Sequence, residues 1–96
     1  MGDKQYCVYM LANSTNVAIY VGITSDLRRR VWEHKERFVH GFPERYGIDK
    51  LVYYEVFADP QNAILREKKL KGGSRARKNR LVETMNPGWR DLYYEL

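Results

Sequence analysis

The chain has 96 residues, 44% of them apolar and 14% aromatic, with a formal net charge of +5. That suffices for one domain with a modest core, expected to span residues 1–96, and no stretch approaches the about 20 apolar residues a membrane helix needs. The single cysteine, Cys7, excludes an internal disulfide and fits a reducing cytoplasm, and with only His34 and His40 beside it there are too few ligands for an ordinary structural zinc site. The opening Met1-Gly2-Asp3-Lys4-Gln5 lacks the basic-then-apolar pattern of an export signal, so a cytoplasmic protein is expected.

Residues 6–12 and 18–23 are rich in Tyr, Val and Ile and are predicted as two strands. Asn13-Ser14-Thr15-Asn16 between them is turn chemistry, so the pair is a hairpin. Thr24-Ser25-Asp26 offers N-cap candidates for a helix over about 26–37, with Leu27, Val31 and Phe38 on its buried side and Trp32 at the margin. Residues 38–49, with Gly41, Pro43 and Gly47, read as a loop with room for a short helical turn. A third strand follows over 51–57. Asp59-Pro60 then starts a helix with Asp as N-cap and Pro at its first position, running to about Lys71. Gly72-Gly73 breaks it, a further helix covers about 74–84, and Asn86-Pro87-Gly88 ends that one. The aromatic tail from Trp89 is expected to pack back. The order is ββαβαα, an α+β chain whose helices must cover a small, mostly antiparallel sheet.

The charge is concentrated. Residues 66–80 hold eight basic side chains against one acidic, while the rest of the chain is near neutral. Such a segment is the footprint of a polyanion binder, although a solvated helix face gives the same pattern. Its arginines favour phosphate, because the guanidinium fork matches phosphate oxygens.

Four kinds of residue could carry chemistry. Glu67 shares a helix face with Ala63, Ile64 and Leu70, so its carboxylate projects from an inward or border face. There it must hold a cation or form a salt bridge, to Lys71 at i+4 or to a basic group on the sheet. Arg30 and His34 are four apart and share a face. An arginine beside a sheet bearing two tyrosines can clamp a phosphate and stabilise charge building on it. Equally, Arg28-Arg29-Arg30 could be a surface run and His34 a boundary histidine. Tyr9 and Tyr20 would more commonly be packing residues. A tyrosine, titrating near ~10, becomes a useful base only beside cationic groups or a metal.

Cys7-Val8-Tyr9 and Tyr20-Val21-Gly22, on consecutive hairpin strands with a basic helix following, resemble the paired motifs of the GIY-YIG endonuclease superfamily. The resemblance covers about residues 5–92 and is greatest to small single-domain bacterial members, and more distant to the nuclease module of the excision-repair incision protein. It implies a central three-stranded antiparallel sheet flanked by helices, and hydrolysis of DNA phosphodiesters with one divalent ion. By the same resemblance, Tyr9 and Tyr20 are the motif tyrosines, Arg30 the helix arginine and Glu67 the metal-binding glutamate. His34 stands where some branches place a tyrosine or histidine, and Asn86 best fits a late asparagine, with Asn79 competing. Cys7 replaces the first glycine. Gly22 is kept, and a glycine there permits close backbone approach.

The expected function is therefore an endonuclease using Mg²⁺ or Mn²⁺ at Glu67 on nucleic acid, structured or damaged DNA in repair or recombination above all. Tyr20, ahead of Tyr9, would take the proton from the attacking water. Arg30 would stabilise the developing charge, His34 would assist by hydrogen bond, and Asn86 would brace the site. Arg28, Arg29, Lys68, Lys71, Arg75, Arg77, Lys78 and Arg80 would track the backbone. A protein partner could present the substrate. The alternatives are a non-catalytic nucleic-acid-binding module that keeps the fold, or a small basic protein docking on a larger complex through residues 66–80.

Overall fold

The computed structural model describes residues 4–96. Residues 1–3, part of the stretch read for an export signal, lie outside the described residues. Three strands, β1 (Tyr6–Ala12), β2 (Ile19–Thr24) and β3 (Lys50–Phe57), form one antiparallel sheet in the order β2-β1-β3. The helices are α1 (Leu27–Lys35), α2 (Phe42–Arg45), α3 (Pro60–Gly72) and α4 (Arg75–Met85), and a 3-10 turn covers Leu92–Glu95. This is the α+β arrangement the sequence implies. None of the described helices is long and apolar enough to cross a membrane.

Strict alternation along β1 sends its side chains to two cores. Val8, Met10 and Ala12 meet Ala63 and Leu70 of α3 and Val82 of α4. Tyr9 and Leu11, on the other face, meet Leu27 and Val31 of α1, with Ile48 and Leu92 closing the edge. The tail therefore does pack back, through Leu92. Each long helix starts where a short polar side chain can satisfy a free N–H: Asp26 accepts from Arg29 N, Asp59 from Asn62 N and Ser74 from Arg77 N.

Two local expectations differ. Phe38 is not on the buried side of α1 but 62% exposed. The helix ends at Lys35, and Arg37 takes a positive φ of 63° that turns the chain before the apolar stripe reaches Phe38. His34 completes the buried side of α1 instead. Ile64 is likewise exposed, leaving Ala63 and Leu70 as the buried side of α3.

Between β1 and β3 the register slips by one residue. Met10 stands opposite Tyr53 and Leu11 opposite Leu51, so Val52 is an extra, bulged residue.

Candidate active site

Tyr9 lies at the centre of the sheet, opposite Gly22 on β2 and Tyr54 on β3, and its ring is buried. Its hydroxyl is 3.2 Å from Nε2 of His34, one helix away on α1. Tyr20 completes an aromatic cluster, its ring centroid 6.3 Å from that of Tyr9 and 5.3 Å from that of His34. Gly22 makes this possible in a way the sequence does not disclose. A Cβ there would fall 2.4 Å from Cζ and Oη of Tyr9, so the close approach is made by the Tyr9 ring.

Burial dominates the titration of this cluster. It pushes the Tyr9 hydroxyl up to about 12; the Arg30 guanidinium beside it works the other way and Tyr20 reinforces the rise. Burial, with the Arg30 charge second, pushes His34 down to about 4. At neutral pH both groups are therefore uncharged. His34 is 2% exposed, and its Nδ1 has no hydrogen-bond partner among the described residues. An unpaired lone pair is cheaper to bury than an unpaired N–H. The proton is thus assigned to Nε2, which donates to the Tyr9 oxygen and leaves the Tyr9 O–H free to donate elsewhere.

Arg30 is half-buried beside this cluster, and its Nη1 donates to Oε1 of Glu33 at 3.1 Å. Glu33 also accepts from Arg29. Glu67 stands on α3 with its side chain 14% exposed, paired with Lys71 at 2.8 Å. The Lys71 ammonium is favoured first by Glu67 and more weakly by Tyr20, which places this pair on the flank of α3 that faces β2. Tyr9, Tyr20, Arg30 and His34 therefore gather on the α1 face of the β1–β2 half of the sheet, while Glu67 stands on α3, which packs on the other face.

Asn86 belongs elsewhere. It is 0% exposed and closes α4. Its Nδ2 donates to the carbonyls of Val52, at 3.3 Å, and Arg90, at 2.8 Å, while its Oδ1 accepts from Arg90 N at 3.0 Å. It braces the β3 bulge and the turn after α4. Asn79 accepts from Arg75 Nε at 2.8 Å on the surface.

Several of the expected phosphate-contacting cations are engaged within the chain. Arg75 donates to Val17 O at 2.6 Å and to Asn16 O, clamping the β1–β2 turn. Lys78 donates to Gly73 O at 2.7 Å. Arg28 reaches the carbonyl of Leu96, and Arg29 pairs with Glu33. Lys68, Arg77 and Arg80 have no side-chain partner among the described residues and are exposed.

Residues 5–80 match the family described as the GIY-YIG catalytic domain. The chain belongs to the GIY-YIG superfamily. It is 37% identical to a UPF0213 protein of Pseudomonas aeruginosa, over 82% of this chain and 75% of that one. It is 32% identical to a UPF0213 protein of Haloquadratum walsbyi, over 86% of this chain and 91% of that one. Among solved structures, the solution NMR structure of a UPF0213 protein from Bacillus halodurans is similar at a TM-score of 0.54 and 27% identity. That likeness covers 88% of this chain and 87% of the other.

GIY-YIG membership makes this a nuclease-like hydrolase fold at the family level, associated with nucleic acid and divalent metal ions. No cluster of three or more His, Cys, Asp or Glu side chains occurs among the described residues. One largely buried carboxylate, Glu67, nonetheless fits a Mg²⁺-type ion, which keeps several waters and takes its remaining oxygens from substrate phosphate.

Sequence reasoning missed one part of this site and one network outside it. Glu33, which holds Arg30, was available from helical i,i+3 spacing. The network lies on the opposite flank of α3. Arg66 donates to both carboxylate oxygens of Glu55 on β3, through Nε at 3.0 Å and Nη2 at 2.8 Å, and the Tyr53 hydroxyl donates to the same carboxylate. Burial works against the Glu55 charge, yet the Arg66 and Tyr53 hydrogen bonds hold its carboxyl below the usual range. No spacing rule joins a strand residue to a helix residue eleven positions later.

Proposed function

We propose that this GIY-YIG chain acts as one domain over residues 1–96 and is a metal-dependent endonuclease hydrolysing phosphodiester bonds, with structured or damaged DNA as substrate. The reading is carried by the convergence of Tyr9, Tyr20, Arg30 and His34 at one half of the sheet; Glu67 connects to it through its pair Lys71, whose charge Tyr20 weakly favours. Glu67 would hold one Mg²⁺ or Mn²⁺, which supplies charge neutralisation at the scissile phosphate when bound. Tyr20 takes the proton of the attacking water. Tyr9, kept as a phenol by burial, uses its free O–H to orient that water or a phosphate oxygen. His34 fixes the Tyr9 oxygen from behind.

Arg30 exchanges Glu33 for phosphate oxygens and stabilises the charge that develops on them. Lys71 exchanges Glu67 for backbone phosphate in the same way, with Lys68 beside it and Arg28 and Arg29 along α1. Arg77 and Arg80, and more weakly the internally bonded Arg75 and Lys78, add to the field that attracts the duplex. Asn86 supports the site through the sheet. The free Cys7 suits a cytoplasmic setting, and repair or recombination is the pathway in which such a substrate arises.

The test is cleavage of labelled supercoiled plasmid, duplex, flap, branched and single-stranded DNA and RNA at low salt, with Mg²⁺, Mn²⁺ or EDTA. Wild type is run beside Glu67→Gln and Tyr20→Phe, both checked for folding. Metal-dependent cleavage lost in both folded variants establishes the enzyme. A second reading is favoured by one observation: Arg30 and Glu67 are each neutralised by a neighbour, as in a pure binding module. Salt-sensitive binding without cleavage under any condition would select it.

A further inference from the structure

Helices α3 and α4 enclose a groove of about 410 Å³. Leu70 and Leu81 give it an apolar lining, and Gly73, which has no side chain, and the small Thr84 leave it open. Lys69, Arg77 and Arg80 stand around it, and Arg66 and Lys78 line it as well. No carboxylate and no aromatic side chain lines the groove among the described residues.

It is separate from the candidate active site. Glu67 and Lys71 leave α3 toward β2 and Tyr20, whereas Arg66 leaves toward β3, where Glu55 holds it. Lys69 and Gly73 follow Arg66 at i+3 and i+7 and share its flank. The groove and Glu67 are therefore on opposite sides of one helix.

The combination selects an occupant. A phosphate backbone would use the cations and leave the apolar lining without a partner. Unpaired nucleobases seek aromatic platforms, and the groove has none. A helix with apolar residues on one stripe and carboxylates beside it satisfies both features, and a groove between two helices has the shape to receive it. We propose that the α3–α4 groove docks an acidic amphipathic helix of a partner protein, its apolar stripe against Leu70 and Leu81 and its carboxylates against Lys69, Arg77 and Arg80. This goes beyond hydrolysis and stands whether or not Glu67 supports cleavage.

The experiment is selection of a displayed library of amphipathic helical peptides on the full chain. Binding is then measured by fluorescence anisotropy to wild type, to Thr84→Trp and to the double variant Arg77→Glu/Arg80→Glu. Thr84→Trp fills the groove without changing charge; the double variant reverses its rim. The expected peptides carry apolar residues at i, i+3 or i+4 and i+7 with flanking Asp or Glu, and lose at least about tenfold in affinity to each variant. Peptides without acids, binding indifferent to Thr84→Trp, or a library yielding no groove-dependent binder would each overturn the proposal. The same holds if Thr84→Trp abolishes binding of single-stranded DNA, since the groove would then belong to nucleic acid. Circular dichroism confirms that both variants are folded before they are scored.

Discussion

The Tyr9 ring lies across Gly22, so that a single Cβ at position 22 would come within 2.4 Å of the Tyr9 hydroxyl. The pair is directly cross-strand, on the face that α1 covers. Tyr9 is enclosed and has no free direction in which to swing. Gly22→Ala is therefore expected to destabilise the fold by about 1–3 kcal/mol through overpacking. It should also displace the hydroxyl from His34. Urea unfolding checks the first effect, and the double variant Gly22→Ala/Tyr9→Ala checks its cause. If the clash is the source, the two losses are strongly non-additive.

His34 makes stability depend on pH in a defined window. Its folded pKa is near 4, against an ordinary value of 6.5, so the unfolded chain takes the proton first. Stability is unaffected by this group above about pH 6.5, falls as pH drops toward 4, and is flat in this respect below that. The ceiling is about 3 kcal/mol, because each tenfold difference in proton affinity between the folded and unfolded chain is worth about 1.4 kcal/mol. Comparing wild type with His34→Gln by thermal unfolding from pH 7 to 4 isolates the contribution, because the carboxylates are common to both. The variant should lose less stability on acidification. Nitrogen-15 NMR of the imidazole should show a neutral ring protonated at Nε2 down to about pH 5.

Asn86 tests bracing against chemistry. Asn86→Ala leaves the buried Val52 carbonyl short of a partner and frees both part-buried backbone groups of Arg90, which water can reach. A loss of about 2–3 kcal/mol is expected, since the one orphaned buried group costs about 1–3 kcal/mol and the two wetter ones less. Asn79→Ala, on the surface, should stay within about 0.5 kcal/mol. If Asn86 only braces, cleavage per folded molecule survives its removal, as measured at low temperature on samples of known folded fraction.

Much of this molecule is written locally. Period-two alternation in β1, the Asn13 turn, the Asp59-Pro60 start of α3 and the Gly73 stop are each decided within a few residues, and the structure follows them to within a residue or two. The elements that carry the tyrosines, Arg30, His34 and Glu67 are legible for the same reason, since β1, β2, α1 and α3 each start from local signals. What was not legible is long-range. Phe38 lost its place when a positive φ at Arg37 ended α1 early. The bulge at Val52 appears only when β3 meets β1, and with it the reason for a buried Asn86. The split of the basic segment into an internally bonded set and a free set depends on which carbonyls and carboxylates the fold brings near each lysine and arginine.

The Glu55–Arg66 pair is expected to govern Glu67. Successive helical residues leave the axis about 100° apart. A bidentate clamp from Arg66 to β3 therefore fixes the rotation of α3 and aims Glu67 toward β2. Both partners are mostly buried, with 27% and 23% of their side chains exposed, so salt screens this pair less than a surface one. A double-mutant cycle with Glu55→Gln and Arg66→Met should give a coupling of about 1–3 kcal/mol that persists at high salt. Tyr53→Phe should cost less, because it removes one hydrogen bond and leaves the ion pair intact. If α3 rotates when the clamp is lost, Glu55→Gln lowers cleavage per folded molecule and weakens the response to added Mg²⁺, although Glu55 is on the far flank from the tyrosines. A purely structural pair would lower stability and leave the metal response where it was.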